Sequence, residues 1–193
     1  MHDPSDGEFL TGKLLIAMPG IGDERFERAV IYLCRHDEEH AMGLAVNRPV
    51  DGLKLPDLLE KLGVDASDAP SARAEPVLVG GPVEVERGFV LHTSDYAAEG
   101  ATLPVGEGLA LTTSKEVLQA LAHDGAPRRA LLALGYAGWG PGQLEREVRE
   151  NVWLVAAPDE ALIFGDDHEH KWSRALEGLG VNAGALSGSA GRA

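Results

Sequence analysis

Four short strings in this chain carry residue types from which active sites are made. His92-Thr93-Ser94-Asp95 holds the imidazole, hydroxyls and carboxylate of a hydrolase triad. A triad needs those groups to converge from separate elements, which neighbours in sequence cannot do. No Gly-x-Ser-x-Gly elbow accompanies it, so His92 is expected as a hydrogen-bonded residue at a strand end. Asp166-Asp167-His168-Glu169-His170 has carboxylates and imidazoles that suit a divalent metal. Adjacent residues alternate faces on a strand and splay by about 100° each on a helix, so they rarely meet on one ion. The expectation is a solvated loop that opens a helix, with Asp166 or Asp167 as its cap and no metal. Cys34-Arg35-His36 sets a thiol beside a cation and a base, the company a thiolate nucleophile needs. Cys34 also ends the apolar run 30–34, where a thiol behaves as a small hydrophobe.

The fourth string, Gly135-Tyr136-Ala137-Gly138-Trp139-Gly140-Pro141-Gly142-Gln143, brackets two aromatic rings with four glycines and a proline. It reads as a glycine-rich turn between an apolar strand, 130–134, and a short amphipathic helix, 143–151. Glycine there implies positive φ or a close approach of backbone, and a helix start presents free N–H groups. Neither the dinucleotide fingerprint nor the lysine of a phosphate loop is present, so no cofactor is expected. Pro141 suits a first helical turn and Gln143 can serve its early N–H groups. Trp139 can stack on a ligand or cover the core. With Gly80-Gly81-Pro82 the segment could shape a cleft. The candidate binding residues are Asn47, Arg48, Gly80, Gly81, His92, Tyr136, Trp139 and Gln143.

The elements that must position these residues are short. Residues 14–18 read as a buried strand stopped by Pro19-Gly20, and 23–29 as one or two helical turns capped by Asp23. Residues 30–34 and 42–46 read as a hairpin turning at 36–40, with Asn47-Arg48-Pro49 ending the second strand. Apolar residues at 55, 58, 59 and 62 give a helical period that Gly63 stops. Residues 65–75 form a surface loop. Strands follow at 76–79 and 88–91, joined through Gly80-Gly81-Pro82, and at 109–112. Thr113-Ser114-Lys115-Glu116 matches a capping box for a helix reaching 122. Residues 152–156 and 162–164 read as paired strands across Pro158-Asp159-Glu160. A last amphipathic helix covers 169–179. The segments 14–33 and 131–154 share a strand, turn, short helix, strand order, a weak internal echo.

This mixture predicts an α+β fold, one domain over 9–182 with a mixed sheet and several short helices, because regular strand–helix alternation is absent. Residues 1–8 are expected as a flexible acidic start and 183–193 as a flexible tail. The 193 residues and 44% hydrophobic content fit one globular domain. Seventeen Lys+Arg against 31 Asp+Glu leave a net charge of −14. That disfavours direct nucleic-acid binding, which draws most of its affinity from basic side chains on phosphates. No apolar run approaches the length of a membrane span. One cysteine and an acidic start fit a cytoplasmic protein.

Several blocks carry a resemblance. They include Lys13-Leu14-Leu15-Ile16-Ala17-Met18-Pro19, Ala41-Met42-Gly43-Leu44-Ala45-Val46-Asn47-Arg48-Pro49 and Gly80-Gly81-Pro82-Val83. Arg87-Gly88-Phe89-Val90-Leu91-His92-Thr93, Thr112-Thr113-Ser114-Lys115, Gly135-Tyr136-Ala137-Gly138-Trp139 and Gly142-Gln143-Leu144-Glu145 follow in order. In this order and spacing the chain resembles the AlgH/YqgE family of uncharacterised bacterial proteins. The resemblance implies a barrel-like mixed sheet with helices packed outside, and it supplies no reaction. The expected function is a cytoplasmic binding or regulatory domain without catalytic activity, acting on a protein or a small molecule. The rival is an enzyme whose pocket joins His92, Asn47 and Arg48 to the 135–143 segment. A weaker one is a transcription regulator.

Overall fold

The computed structural model describes residues 9–65, 76–122 and 127–187. The acidic start, most of the 65–75 loop and the last part of the tail lie outside them. The strands are β1 Leu14–Ala17, β2 Val30–His36, β3 Ala41–Ala45, β4 Pro49–Lys54 and β5 Pro76–Val79. They continue with β6 Val83–Thr93, β7 Thr102–Pro104, β8 Leu109–Thr112, β9 Ala130–Trp139 and β10 Trp153–Ala156. The helices are α1 Leu55–Lys61, α2 Lys115–Ala122, α3 Gln143–Arg149, α4 Glu160–Phe164, α5 Lys171–Gly178 and α6 Ala183–Ser187, with single 3-10 turns at Glu24–Phe26 and His168–His170.

The expected α+β domain with a mixed, curled sheet is what forms. Its order is β10-β1-β2-β3-β9-β6-β8-β7, with β4 and β5 attached off that path. β5 runs parallel to β9, while the other pairings are antiparallel. The sheet curls into a half-barrel, so its two faces meet different partners. The inner face gathers Leu14, Ile16, Val30, Tyr32, Leu44, Leu91 and Leu131, and α5 plugs one end with Trp172, Ala175 and Leu176. Each fully buried side chain of this size is worth roughly 1.5–3 kcal/mol. Lys171 anchors the plug from within: its buried Nζ donates to Val46 O at 2.8 Å and Ile163 O at 2.9 Å. Trp172 Nε1 donates to Ala17 O at 2.8 Å. Outside, α3 covers one stretch through Leu144, and α1 and α2 cover another through Leu55, Leu59, Val117 and Leu121. No helix among the described residues is long and apolar enough to cross a membrane.

Local signals account for most elements. Asp23 accepts a hydrogen bond from Arg25 N, as a cap should. Gly63, at φ +72, ends α1, its N–H reaching Glu60 O. Several expectations are corrected. Residues 162–164 are helical: the Asp159 carboxylate accepts from Leu162 N and starts α4, so the β-branched and aromatic side chains there follow a cap rather than a ladder. β9 does not stop at Leu134 but runs to Trp139, because Gly135 absorbs the irregularity at φ +73 and pairing resumes beyond it. The turn is therefore only 140–142. β6 begins at Val83 rather than at residue 88, and β5 and β6 both lie against β9. The strand before Asn47-Arg48-Pro49 ends at Ala45, as expected, and Pro49 then opens a further strand, β4. The capping box at Thr113 does not form, since α2 starts at Lys115 and the Ser114 Oγ at the cap is buried without a partner. The internal echo holds in element order, β1, a 3-10 turn and β2 against β9, α3 and β10, but not in pairing: β1 pairs with β2, whereas β9 pairs with β3 and β10 with β1. Residues 183–187, read as the start of the tail, form α6, and Leu186 packs on the core.

Candidate functional site

The eight candidate residues fall into five places. Asn47 and Arg48 leave the end of β3 and hold the 27–30 turn. Asn47 Oδ1 accepts from Val30 N at 3.0 Å and its Nδ2 donates to Arg28 O at 2.8 Å, while Arg48 Nη2 donates to Glu27 O. These bonds brace Arg28, a non-glycine residue at φ +53.

His92 sits on β6 at 0% exposure. A backbone oxygen can only accept, so Nδ1–H donates to Thr93 O at 2.8 Å and Nε2 accepts from Thr112 Oγ1 at 2.7 Å. Thr112 Oγ1 then accepts from Thr102 Oγ1, also 2.7 Å away, and Thr102 accepts from Ala98 N. Burial lowers the His92 pKa and keeps the ring neutral. Asp95 turns elsewhere, to Thr93 Oγ1 and Arg128 N. The residue types of a triad are present and their geometry ties the 95–102 loop to the sheet.

Gly80 and Gly81 lie directly against β9. An added Cβ would stand 2.2 Å from Gly135 O in the first case and 2.1 Å from the Tyr136 carbonyl carbon in the second. Trp139 and Gln143 meet at the α3 corner. The Glu147 carboxylate accepts from Trp139 Nε1 and Trp153 Nε1, both at 2.9 Å, and from Gln143 Nε2 at 3.0 Å. Gln143 Oε1 in turn accepts from Gly140 N. The two indoles cross edge to face at 5.8 Å.

The metal-like string pairs within itself and with α5. Asp167 accepts from His170 Nδ1 at 2.8 Å and from Arg174 Nη2 at 3.0 Å. Burial, with the Lys171 charge adding to it, lowers the pKa of His168.

Tyr136 opens onto a hollow that Gly138 and Trp139 also border. This groove, about 800 Å³, occupies the inner face at the end of the half-barrel that α5 leaves unfilled. Met42 from β3, Phe89 from β6, Leu111 from β8 and Tyr136 from β9 line it, with Leu103 and Val105 along one side. Phe89 and Tyr136 cross at 5.7 Å. Cys34 faces the same space, but its thiol is 4% exposed and burial pushes its pKa up to about 12. It stays protonated, a wall rather than a nucleophile. The charged groups are on the rim. The Arg87 guanidinium lies 5.1 Å from the Phe89 ring centre and 3.4 Å from Glu84. Arg35 Nε donates to Asp37 at 2.8 Å, and His40 stands 3.3 Å from the same carboxylate. Loss of solvent raises the Asp37 pKa, but the His40 and Glu39 N–H groups and Arg35 outweigh it and hold the group at about 2. Met42, Phe89, Arg87 and Leu111 escaped sequence reasoning because three strands far apart in the chain supply them. The usable signal was the alternation of Tyr136 and Gly138 with Ala137 and Trp139, which splits that string between two faces.

Comparison with known proteins places the whole domain. The AlgH-like family model matches residues 14–184. A UPF0301 protein of Caulobacter vibrioides is 61% identical over 193 residues, covering 99% of this chain and 97% of its own. One from Ruegeria pomeroyi is 54% identical, covering 95% and 99%. The solution structure of the AlgH protein from Pseudomonas aeruginosa is 43% identical and superposes with a TM-score of 0.74, covering 100% of this chain and 99% of that one. A crystal structure from Corynebacterium diphtheriae, 19% identical with a TM-score of 0.69 over 89% of this chain and 87% of that one, shares the fold. The chain belongs to the AlgH-like family.

Proposed function

We propose that this protein is a cytoplasmic binding module, without catalytic activity, that holds a small molecule in the groove of its half-barrel. The groove itself carries the reading. Its volume of about 800 Å³ lies within the roughly 300–1,000 Å³ typical of small-molecule sites, and its apolar lining with a few polar groups at the edge has their usual composition. The chemistry of the lining favours binding over reaction. Cys34 keeps its proton, and the rim cations sit beside carboxylates of the same chain. The enzyme alternative asked for His92, Asn47 and Arg48 around one pocket; all three spend their polar atoms on backbone and threonine partners, which supports the same preference.

The test uses N-phenyl-1-naphthylamine, a neutral apolar fluorophore. It should bind saturably at one site, and Tyr136→Ala should weaken that binding about tenfold through lost aromatic contact. Backbone NMR shifts should centre on Met42, Phe89 and Tyr136. Shifts centred on Gln143, Trp153 and Phe26, in the outer hollow beside α3, would overturn the assignment.

A further inference from the structure

The groove's rim says what kind of molecule it holds. The whole chain carries a net charge of −14, yet Arg35, Arg87 and His40 all line the groove, with Glu84 among them and Asp37 beside Arg35 and His40. The two arginines differ. Arg35 is engaged at 2.8 Å with a carboxylate that two backbone N–H groups also hold in place. Arg87 touches Glu84 at only 3.4 Å, with both side chains about half exposed (52% and 51%). Exposed pairs of this kind are worth about 0–1 kcal/mol, so a competing anion can displace Glu84 readily. Arg87 also rests over Phe89, so its guanidinium stands where the apolar floor meets the rim.

We infer that the occupant is a small anionic amphiphile, with its apolar part over Met42, Phe89 and Tyr136 and its anionic head at Arg87. The inference rests on the groove reading above and adds the ligand's charge. A guanidinium offers N–H donors in a planar fork that matches a carboxylate. Polyanions fit poorly, because one displaceable contact at Arg87 would have to offset repulsion from the rest of the chain. An extended peptide fits poorly as well. The neighbouring sheet edge, β7, is three residues long and ends in Pro104, which has no N–H to give an added strand.

Displacement of N-phenyl-1-naphthylamine by decanoate, decanol and decyltrimethylammonium, each below its aggregation threshold, separates the possibilities. Decanoate should compete about tenfold better than decanol, the worth of a charge-assisted hydrogen bond. Decyltrimethylammonium should be the poorest competitor. Arg87→Gln should remove the decanoate advantage and leave decanol unchanged, while Glu84→Gln should strengthen decanoate about threefold by removing its rival. Both positions are exposed, and far-UV circular dichroism checks that each variant keeps the fold. Equal competition by all three compounds, or a decanoate affinity indifferent to Arg87→Gln, overturns the anionic ligand and leaves the groove reading standing. A fluorophore that finds no site in the groove overturns both.

Discussion

Strand β9 separates two regions that treat their polar atoms in opposite ways. On its outer face, around Trp139, one carboxylate serves two indoles and a glutamine, and α3 seals the result. On its inner face, around Tyr136, the rings line open space and one rim cation, Arg87, is held only by a loose exposed pair. The first region satisfies its groups with its own chain, as buried polar groups must be. The second leaves capacity for something else. Aromatic residues bracketed by glycine therefore do not mark a site by themselves; what matters is whether the fold has already given them partners.

The sharpest way to break this contrast is at the crossing that holds both regions in place. Gly81→Ala would drive a Cβ to 2.1 Å from the Tyr136 backbone, where no side chain can swing away. It should cost more than about 4 kcal/mol, read from urea unfolding or from failure to recover folded protein. A mild effect would mean that β9 is not pinned there. Cys34 tests the inner face. With its pKa pushed up to about 12, it should react with iodoacetamide about a thousandfold more slowly than an ordinary thiol at the same pH. A raised folded-state pKa means the stabilisation is complete below the unfolded thiol's value and is lost as pH rises. Stability should fall from about pH 9 towards 12, less steeply in Cys34→Ala. Rapid alkylation of the folded protein would instead make the groove a reactive site. Glu147→Ala tests the outer face. Two indole N–H groups lose their acceptor, a loss of about 2 kcal/mol measured by urea midpoint, with N-phenyl-1-naphthylamine binding unchanged. Loss of that binding would show that the two faces are one functional unit.

How much of this was legible depends on how local each cause is. The α+β class, the β2–β3 hairpin and the helices around 55–61, 115–122 and 171–178 follow from periodicity and turn residues within a few positions. The course of β9 was not legible. Gly135 to Gly142 has the composition of a turn, but the glycines at 135, 80 and 81 are there because three backbones approach within a side chain's width. That reason lies some 50 residues away in sequence for Gly81 and Gly135. Residues 162–164 were misread because their apolar content outweighed the Asp159 cap. The groove was invisible for the strongest reason of all: Met42, Phe89, Leu111 and Tyr136 become neighbours only through the order β3-β9-β6-β8.

The pairing of β1 with β10 has a consequence for how the chain reaches this state. Leu14 lies opposite Ala156, and β3 waits for β9 in the same way. During synthesis the first three strands emerge long before the partners that flank them, with β1 and β3 both presenting open edges. Such distant pairings make folding slow and expose strands to other chains in the interval. Assembly should therefore stay incomplete until the ribosome has delivered β10, and truncation before Trp153 should yield aggregation rather than a smaller folded domain.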